Sequence, residues 1–245
     1  LRPDFVIPFK MNKETAKVAL QNHYKGKKFL PKSFSAENKI EELKGIYVPF
    51  WLFDGISNAD LHYRGTTNHS YTQGDEKVVV TEHYHVARQG NIAFEKVPVD
   101  GSIKMPDAHM DAIEPYDYSE LVSFSTAYLP GYLADKYDVD ADECSKRANE
   151  RISTSTQDVF ANTVNGYTSL TLESSAIDIE PGQVTYALLP VWMLNTKWKG
   201  KDFLFAMNGQ TGKLIGDLPV DWSKFWMWFI GIWLPLMLLF GIIIF

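Results

Sequence analysis

The last 21 residues of the chain, 225–245, contain no charged side chain, and this stretch constrains the fold more than any other feature. Eighteen of the 21 are apolar, and the others are Gly231, Pro235 and Gly241. As a helix rising about 1.5 Å per residue, the stretch would be about 31 Å long, close to the ~30 Å hydrocarbon core of a bilayer. We therefore predict a transmembrane helix over residues 222–245.

The residues at the start of this stretch fit the same interpretation. Indole rings favour the membrane–water interface, a lysine stem can reach the headgroups, and a proline is tolerated in a lipid-embedded helix. The predicted anchor consists of Trp222, Lys224, Trp226, Trp228, Trp233 and Pro235.

The distribution of lysines predicts the orientation. Five lysines between positions 197 and 224 precede the stretch and none follows it, which favours a soluble part on the cytoplasmic side. The unpaired Cys144 agrees with a reducing compartment. We expect a single-pass protein of the cell membrane. Because the chain begins with Leu1 and ends within an apolar run, we also expect a piece of a longer protein.

Residues 1–220 predict a soluble region with a basic start. Residues 1–45 suggest short helices, and residues 1–50 hold ten basic and five acidic side chains. The basic loop contains Lys25, Lys27, Lys28 and Lys32. These lysines fit either contact with anionic lipid headgroups or an ordinary solvated surface, which is the commoner role of a charge run.

Residues 46–220 predict mainly strands and one long helix. Runs of aromatic and β-branched residues alternate with turn signals, and Asp140 or Asp142 can start a helix near 142–164. Ala148, Ile152 and Val159 place apolar side chains on one face of that helix. The predicted fold class is α+β, with mainly antiparallel sheets, a few helices and the C-terminal transmembrane helix.

The sequence lacks the common catalytic signatures. It has no phosphate-binding GxxxxGK[ST] or GxGxxG loop, no GxSxG nucleophile elbow and no HExxH zinc motif. The net charge of −6 argues against general nucleic-acid binding, and one cysteine cannot build a cysteine-cage zinc site. We identify no small-molecule substrate and no catalytic residue.

One histidine pair has the spacing of metal ligands. His83 and His85 lie two apart in a predicted strand, so their rings share a face, and His62 or His69 could supply a third ligand. The alternative is a solvent-facing polar stripe, because two ligands seldom make a site.

The ordered series KKFLPKSF, IEELKGIYVPFWLFD, LLPVWMLN and AMNGQTGKLIGDLPVD before an apolar tail resembles the TFIIB-type zinc-ribbon-containing membrane proteins of Gram-positive bacteria. Members of that family usually carry N-terminal Cys-x-x-Cys ribbons, which this sequence lacks, so the resemblance implies zinc only in a preceding region. It also implies protein partners of the SPFH (band-7) scaffold type.

The predicted function is that of a membrane-anchored, non-catalytic adaptor whose cytoplasmic domain recruits protein partners. Anchoring raises the local concentration of a weakly bound partner. Two alternatives are a membrane-bound metal-dependent hydrolase that uses His83 and His85, and an extracytoplasmic sensor domain.

Overall fold

A computed structural model describes residues 2–34 and 40–244, with the side chains of the last helix described as far as Met237. Contacts divide the chain into two compact units. Unit 1 comprises Leu1–Phe5, Pro49–Ile103 and Tyr137–Ala187, and unit 2 comprises Val6–Val48, Lys104–Lys136 and Leu188–Phe245.

The described residues form an eight-stranded sheet in the order β3-β2-β6-β1-β4, with β5 beside β2, β7 beside β6 and β8 beside β7. The strands are β1 (Phe5–Val6), β2 (Lys44–Gln73), β3 (Glu76–Asp100), β4 (Val122–Ser123), β5 (Leu133–Ala134), β6 (Ser169–Trp198), β7 (Lys201–Asn208) and β8 (Leu214–Gly216). β5 pairs with β2 in parallel through Ile46↔Leu133. The predicted mainly antiparallel class is therefore corrected to a mixed sheet.

Four α-helices accompany the sheet in the described part of the chain. They are α1 (Lys13–Tyr24), α2 (Asp107–Ala112), α3 (Ala141–Asn162) and α4 (Trp222–Ile244). Short 3₁₀ helices cover Tyr118–Glu120 and Thr126–Tyr128. A second short helix that the sequence predicts near residues 36–44 lies largely outside the described residues.

The predicted transmembrane helix and the single-pass localisation are corrected by this structure. Within the residues described, no helix combines the length and the apolar character needed to cross a bilayer. The residues of the predicted anchor all lie in this last helix: Trp222, Lys224, Trp226, Trp228, Trp233 and Pro235.

β2 and β6 are each 30 residues long, whereas the sequence suggests shorter strands separated by polar breaks. The strands continue through these breaks because a glycine allows two backbones to approach closely. A Cβ atom at Gly182 would lie 2.9 Å from the carbonyl oxygen of Asp54, too close for any side chain. The pairing of β2 with β3 shifts its register between Phe53 and Gly55, where β3 has one extra residue.

In unit 1, α3 buries one face. Cys144, Ala148, Ile152 and Thr156 are its buried residues, at intervals of four. The carboxylate of Asp140 accepts a hydrogen bond from the backbone N–H of Glu143 at 2.9 Å and caps the helix. Val159 is 48% exposed, so its predicted place on the apolar face is wrong.

In unit 2, α1 buries a comparable face. Ala16, Leu20 and Tyr24 pack with Phe34 and Phe205 in one hydrophobic cluster. Burial raises the pKa of Tyr24 to about 12. Asn12 caps the start of α1 by accepting a hydrogen bond from Thr15 N at 2.9 Å.

The segment 208–213 (NGQTGK) holds a buried polar network in unit 2. The Asn208 side chain is fully buried and donates to the carbonyls of Ile113 and Pro115 at 3.0 and 3.2 Å. Its oxygen accepts from the N–H groups of Gln210 and Thr211 at 2.9 and 3.0 Å. Asn208 therefore joins its own turn to the loop after α2.

Candidate binding surface

The basic loop and the start of α4 lie side by side in unit 2. We refer to Lys25–Lys32 and residues 222–233 of α4 together as the basic–aromatic surface. The loop follows α1, whose last turn is closed by the Lys25 N–H donating to Asn22 O at 3.2 Å. Gly26 has φ +79°, a conformation that glycine adopts easily, and it turns the chain away from the helix.

Two buried apolar residues hold the loop in place. Leu30 and Phe34 are 7% and 2% exposed and belong to the same hydrophobic cluster as α1. The backbone tightens between them, since Leu30 N donates to Lys27 O at 3.0 Å and Phe34 N to Pro31 O at 3.1 Å. The exposed lysines before and after Leu30 are therefore carried by a backbone that these buried residues hold in place.

The first turn of α4 is bound to this loop by polar and aromatic contacts. The Asp221 N–H donates to Phe29 O at 2.8 Å, and the Lys224 ammonium donates to Leu30 O at 2.7 Å. The rings of Phe29 and Phe225 meet edge to face at 5.5 Å. Lys224 thus binds the loop backbone.

A further contact joins the charge of the loop to the aromatic side chains of the helix. The Lys28 ammonium lies 4.8 Å from the centre of the Trp228 ring, within the range of a cation–π interaction. The carboxylate of Asp221, the residue before the helix, accepts a hydrogen bond from Ser223 N at 3.2 Å.

Most of the surface is open to solvent. Lys25, Lys27, Lys28 and Lys32 are exposed, and Trp222, Trp226, Trp228 and Trp233 are 60, 53, 49 and 49% exposed. Soluble domains seldom leave so many large apolar side chains together on the outside, and such patches mark interaction sites.

Two open grooves lie on this surface. One, of about 330 Å³, is lined by Gly26, Lys27, Lys28, Phe29, Leu30, Leu218, Pro219 and Val220. The other, of about 500 Å³, is lined by Lys224, Met227, Trp228, Gly231 and Ile232. Each groove has an apolar lining and a lysine, which suits a ligand with an anionic group beside an apolar part.

The structure thus brings together two sets of residues that the sequence treats separately. Sequence analysis missed Phe29 and Phe225, whose ring contact fastens the two parts. Phe29 stands next to the buried Leu30 in the sequence KKFLPK, and this apolar pair within a basic run was the available signal. Pro235 lies inside α4 and is exposed.

The four histidines considered as metal ligands lie in unit 1. The rings of His62 and His85 are 5.0 Å apart, and His62 Nε2 lies 3.3 Å from Asp60 Oδ1. His83 is paired with Thr66 across the strands and lies on the same face of β3 as His85. His69 Nε2 instead lies 3.6 Å from Glu82 Oε2. In the ranges described, no group of three or more His, Cys, Asp or Glu side chains could hold a metal ion.

Cys144 belongs to the buried face of α3 in unit 1. Its thiol lies 3.7 Å from the carbonyl oxygen of Asp100. Burial and the nearby Asp100 carboxylate raise the pKa of the thiol to about 11. The thiol is therefore protonated at neutral pH, which is unlike a reactive cysteine.

The described residues thus form a mixed sheet, and unit 2 has an exposed basic and aromatic surface. No protein-family model and no solved structure matches the chain. It is 40% identical over 232 residues to a Bacillus subtilis (strain 168) protein with the name "Uncharacterized protein YdjG", covering 95% of this chain and 68% of that protein. The chain belongs to the family of YdjG. That name states no function, so the resemblance to zinc-ribbon proteins stays a prediction.

Proposed function

We propose that the chain is a non-catalytic adaptor that contacts anionic phospholipid headgroups through the basic–aromatic surface and recruits protein partners through the rest of its fold. The observation that carries the proposal is the contact between the lysine loop and the aromatic start of α4, through Lys28 and Trp228. In this proposal the basic–aromatic surface lies against one face of the lipid layer and contacts its headgroups.

Both parts of the surface support this ligand class. Lysines near an anionic lipid surface contribute about 1 kcal/mol each, and indole rings favour the headgroup level. The grooves beside Lys27, Lys28 and Lys224 offer an apolar lining next to the charge. An acidic protein segment would match the lysines but would leave the exposed tryptophans uncovered.

The protein partners belong to the same proposal. The family resemblance implies scaffold proteins of the SPFH (band-7) type, and holding such a partner near a lipid surface would raise its local concentration. The proposal includes no cofactor for this chain, and it assigns no catalytic role to His83 or His85.

The test is vesicle co-sedimentation of the full chain with phosphatidylglycerol-containing and pure phosphatidylcholine vesicles. The Lys25→Glu/Lys27→Glu/Lys28→Glu variant should bind anionic vesicles at least about 100-fold more weakly, because three favourable charges of about 1 kcal/mol each are removed. Binding to phosphatidylcholine should be weak for every variant.

A matched control changes three other lysines. Lys197→Glu/Lys199→Glu/Lys201→Glu alters net charge equally, at exposed positions where Lys199 lies 4.5 Å from the Trp198 ring centre. This control should retain most of the binding. Equal losses in the two triple variants would show unspecific charge attraction and would refute the proposed surface, as would an absence of binding to anionic vesicles.

A further inference from the structure

The longest exposed edge of the sheet belongs to β3 in unit 1. β3 is 25 residues long and pairs with β2 from Phe50↔Asp100 to Gln73↔Glu76. It pairs with no other strand in the part of the chain that the structure describes. Alternate residues of such a strand direct backbone N–H and C=O groups outward, where another strand can pair with them.

Over most of its length this edge has neither a bulge nor a proline, two features that block strand pairing. The register with β2 is unbroken between Gln73↔Glu76 and Gly55↔Phe94, and no proline occurs in that part of β3. Val79, Val80 and Tyr84 are 58, 39 and 40% exposed. A long and regular edge with exposed apolar side chains is a template for strand addition.

The sequence of β3 is complementary to itself in one antiparallel register. With a twofold axis perpendicular to the sheet at Val86, each residue before Val86 faces the residue equally far after it in the other copy. Lys77 then faces Glu95, at both ends of the pairing. Between these charge pairs, Val78 faces Phe94 and Val80 faces Ile92. Opposite charges and matched apolar pairs across strands are the contacts that stabilise a sheet.

Neighbouring registers lose this complementarity. An axis at His85 or Ala87 places Lys77 opposite Ala93 or Val97, and an axis at Glu82 sets that carboxylate against its own copy. The regular part of β3 ends at Phe94, next to these charge pairs, because the bulge of β3 falls at residues 95–96.

We propose that a second copy of this chain pairs with β3, antiparallel about an axis at Val86, to form a continuous sheet across a homodimer. The interface is isologous, because the same strand serves both copies. This inference goes beyond lipid contact and does not depend on it.

Register-specific disulfide formation in the full chain tests the pairing. His85 and Ala87 of opposite copies face each other in the proposed register, and both are exposed. Directly opposite strand positions bring Cβ atoms within about 5.5 Å, whereas positions two apart on one strand are too far apart for a disulfide. Under mild oxidation, an equimolar mixture of His85→Cys and Ala87→Cys chains should therefore give covalent dimers. Each single variant alone should give far fewer, which also controls for Cys144.

A charge exchange separates the interface from folding defects. Lys77→Glu should reduce the yield of the crosslink by about tenfold, because a favourable pair becomes a repulsive one on both sides of the axis. Combining Lys77→Glu with Glu95→Lys should restore the yield. An uncrosslinked mixture, or a yield that the second exchange does not restore, would overturn the proposal. Either result is also what we expect if the dimer forms through another surface or if β3 pairs with a different protein.

Discussion

The two long helices, α3 and α4, have 22 and 23 residues but opposite surface chemistry. α3 buries a narrow stripe that includes Ala148 and Ile152 and exposes polar side chains elsewhere. In the described part of α4, only Ser223 and Lys224 are polar, and the large side chains from Trp226 to Met237 are exposed.

The difference shows why one helix is part of a core and the other is available to a ligand. A helix with a single apolar stripe has one favourable orientation on its own sheet. A helix that is apolar on every side has no such preference, and α4 is held at its first turn by Lys224 and Phe225. Folding stability should therefore respond strongly to changes in α3 and weakly to changes in the exposed part of α4.

The largest loss of stability is expected when the ion pair between Arg147 of α3 and Asp100 is broken. Arg147 Nη1 donates to Asp100 Oδ1 at 2.8 Å, and the Asp100 side chain is 1% exposed. Arg147→Met keeps much of the side-chain volume but leaves a buried carboxylate without this partner, which should cost about 3–5 kcal/mol. Native-state hydrogen exchange of the α3 amides measures this loss.

A second variant isolates the charge effect. Asp100→Asn in the Arg147→Met background removes the buried charge, so a large part of the lost protection should return. If both variants lost equal protection, packing of the arginine stem would be the cause and the ion pair would contribute little.

Cys144 in α3 should react slowly while the protein is folded. With the thiol pKa at about 11 instead of its ordinary value near 9, the thiolate fraction at pH 8 falls about 100-fold, and burial slows access further. Alkylation with iodoacetamide in native buffer and in urea, followed by mass spectrometry, compares the two rates. Similar rates would show that α3 opens readily.

The same shift predicts the direction of the pH dependence. Because folding raises the thiol pKa, its contribution to stability is complete below the unfolded value near pH 9 and is lost as the pH rises towards 11. A Cys144→Ala variant should lose stability less steeply over this interval.

A smaller effect is expected at the start of α3. Asp140→Ala removes the cap on Glu143 N and should lower the free energy of unfolding by about 1 kcal/mol. Thermal unfolding followed by circular dichroism measures the change, and Asp140→Asn should keep most of the stability because its amide oxygen can still accept. Equal losses in both variants would exclude capping as the cause.

The smallest effect on stability is expected in α4. Trp226 is 53% exposed, so Trp226→Ser should change the free energy of unfolding by less than about 0.5 kcal/mol. The same variant should weaken binding to anionic vesicles, since the indole belongs to the proposed lipid-contacting surface. A large loss of stability would show that α4 is buried against the rest of the protein.

Local signals made α3 predictable from the sequence. The sequence places the helix at 142–164 with Asp140 or Asp142 at its start, and the structure has Ala141–Asn162 with Asp140 as the cap. Its exposed residues were harder to predict. Val159 fits an apolar period, yet the buried stripe runs through Cys144 and Thr156, and a sequence does not show where the opposing sheet ends.

The long strands depend on contacts between distant residues. Pro181-Gly182 has the composition of a turn, and the glycine is required because it touches the backbone of Asp54 far away in the sequence. The basic–aromatic surface has the same origin: its lysines and tryptophans can be named from the sequence, but their contact depends on Phe29 meeting Phe225.

The buried amide of Asn208 has a consequence for local opening. The Asn208 side chain forms hydrogen bonds with four backbone groups, those of Ile113, Pro115, Gln210 and Thr211. Moving either segment away would leave several of these groups without partners in a dry interior, so partial detachment is unfavourable. The two distant stretches should therefore lose protease resistance together, as a single cooperative patch.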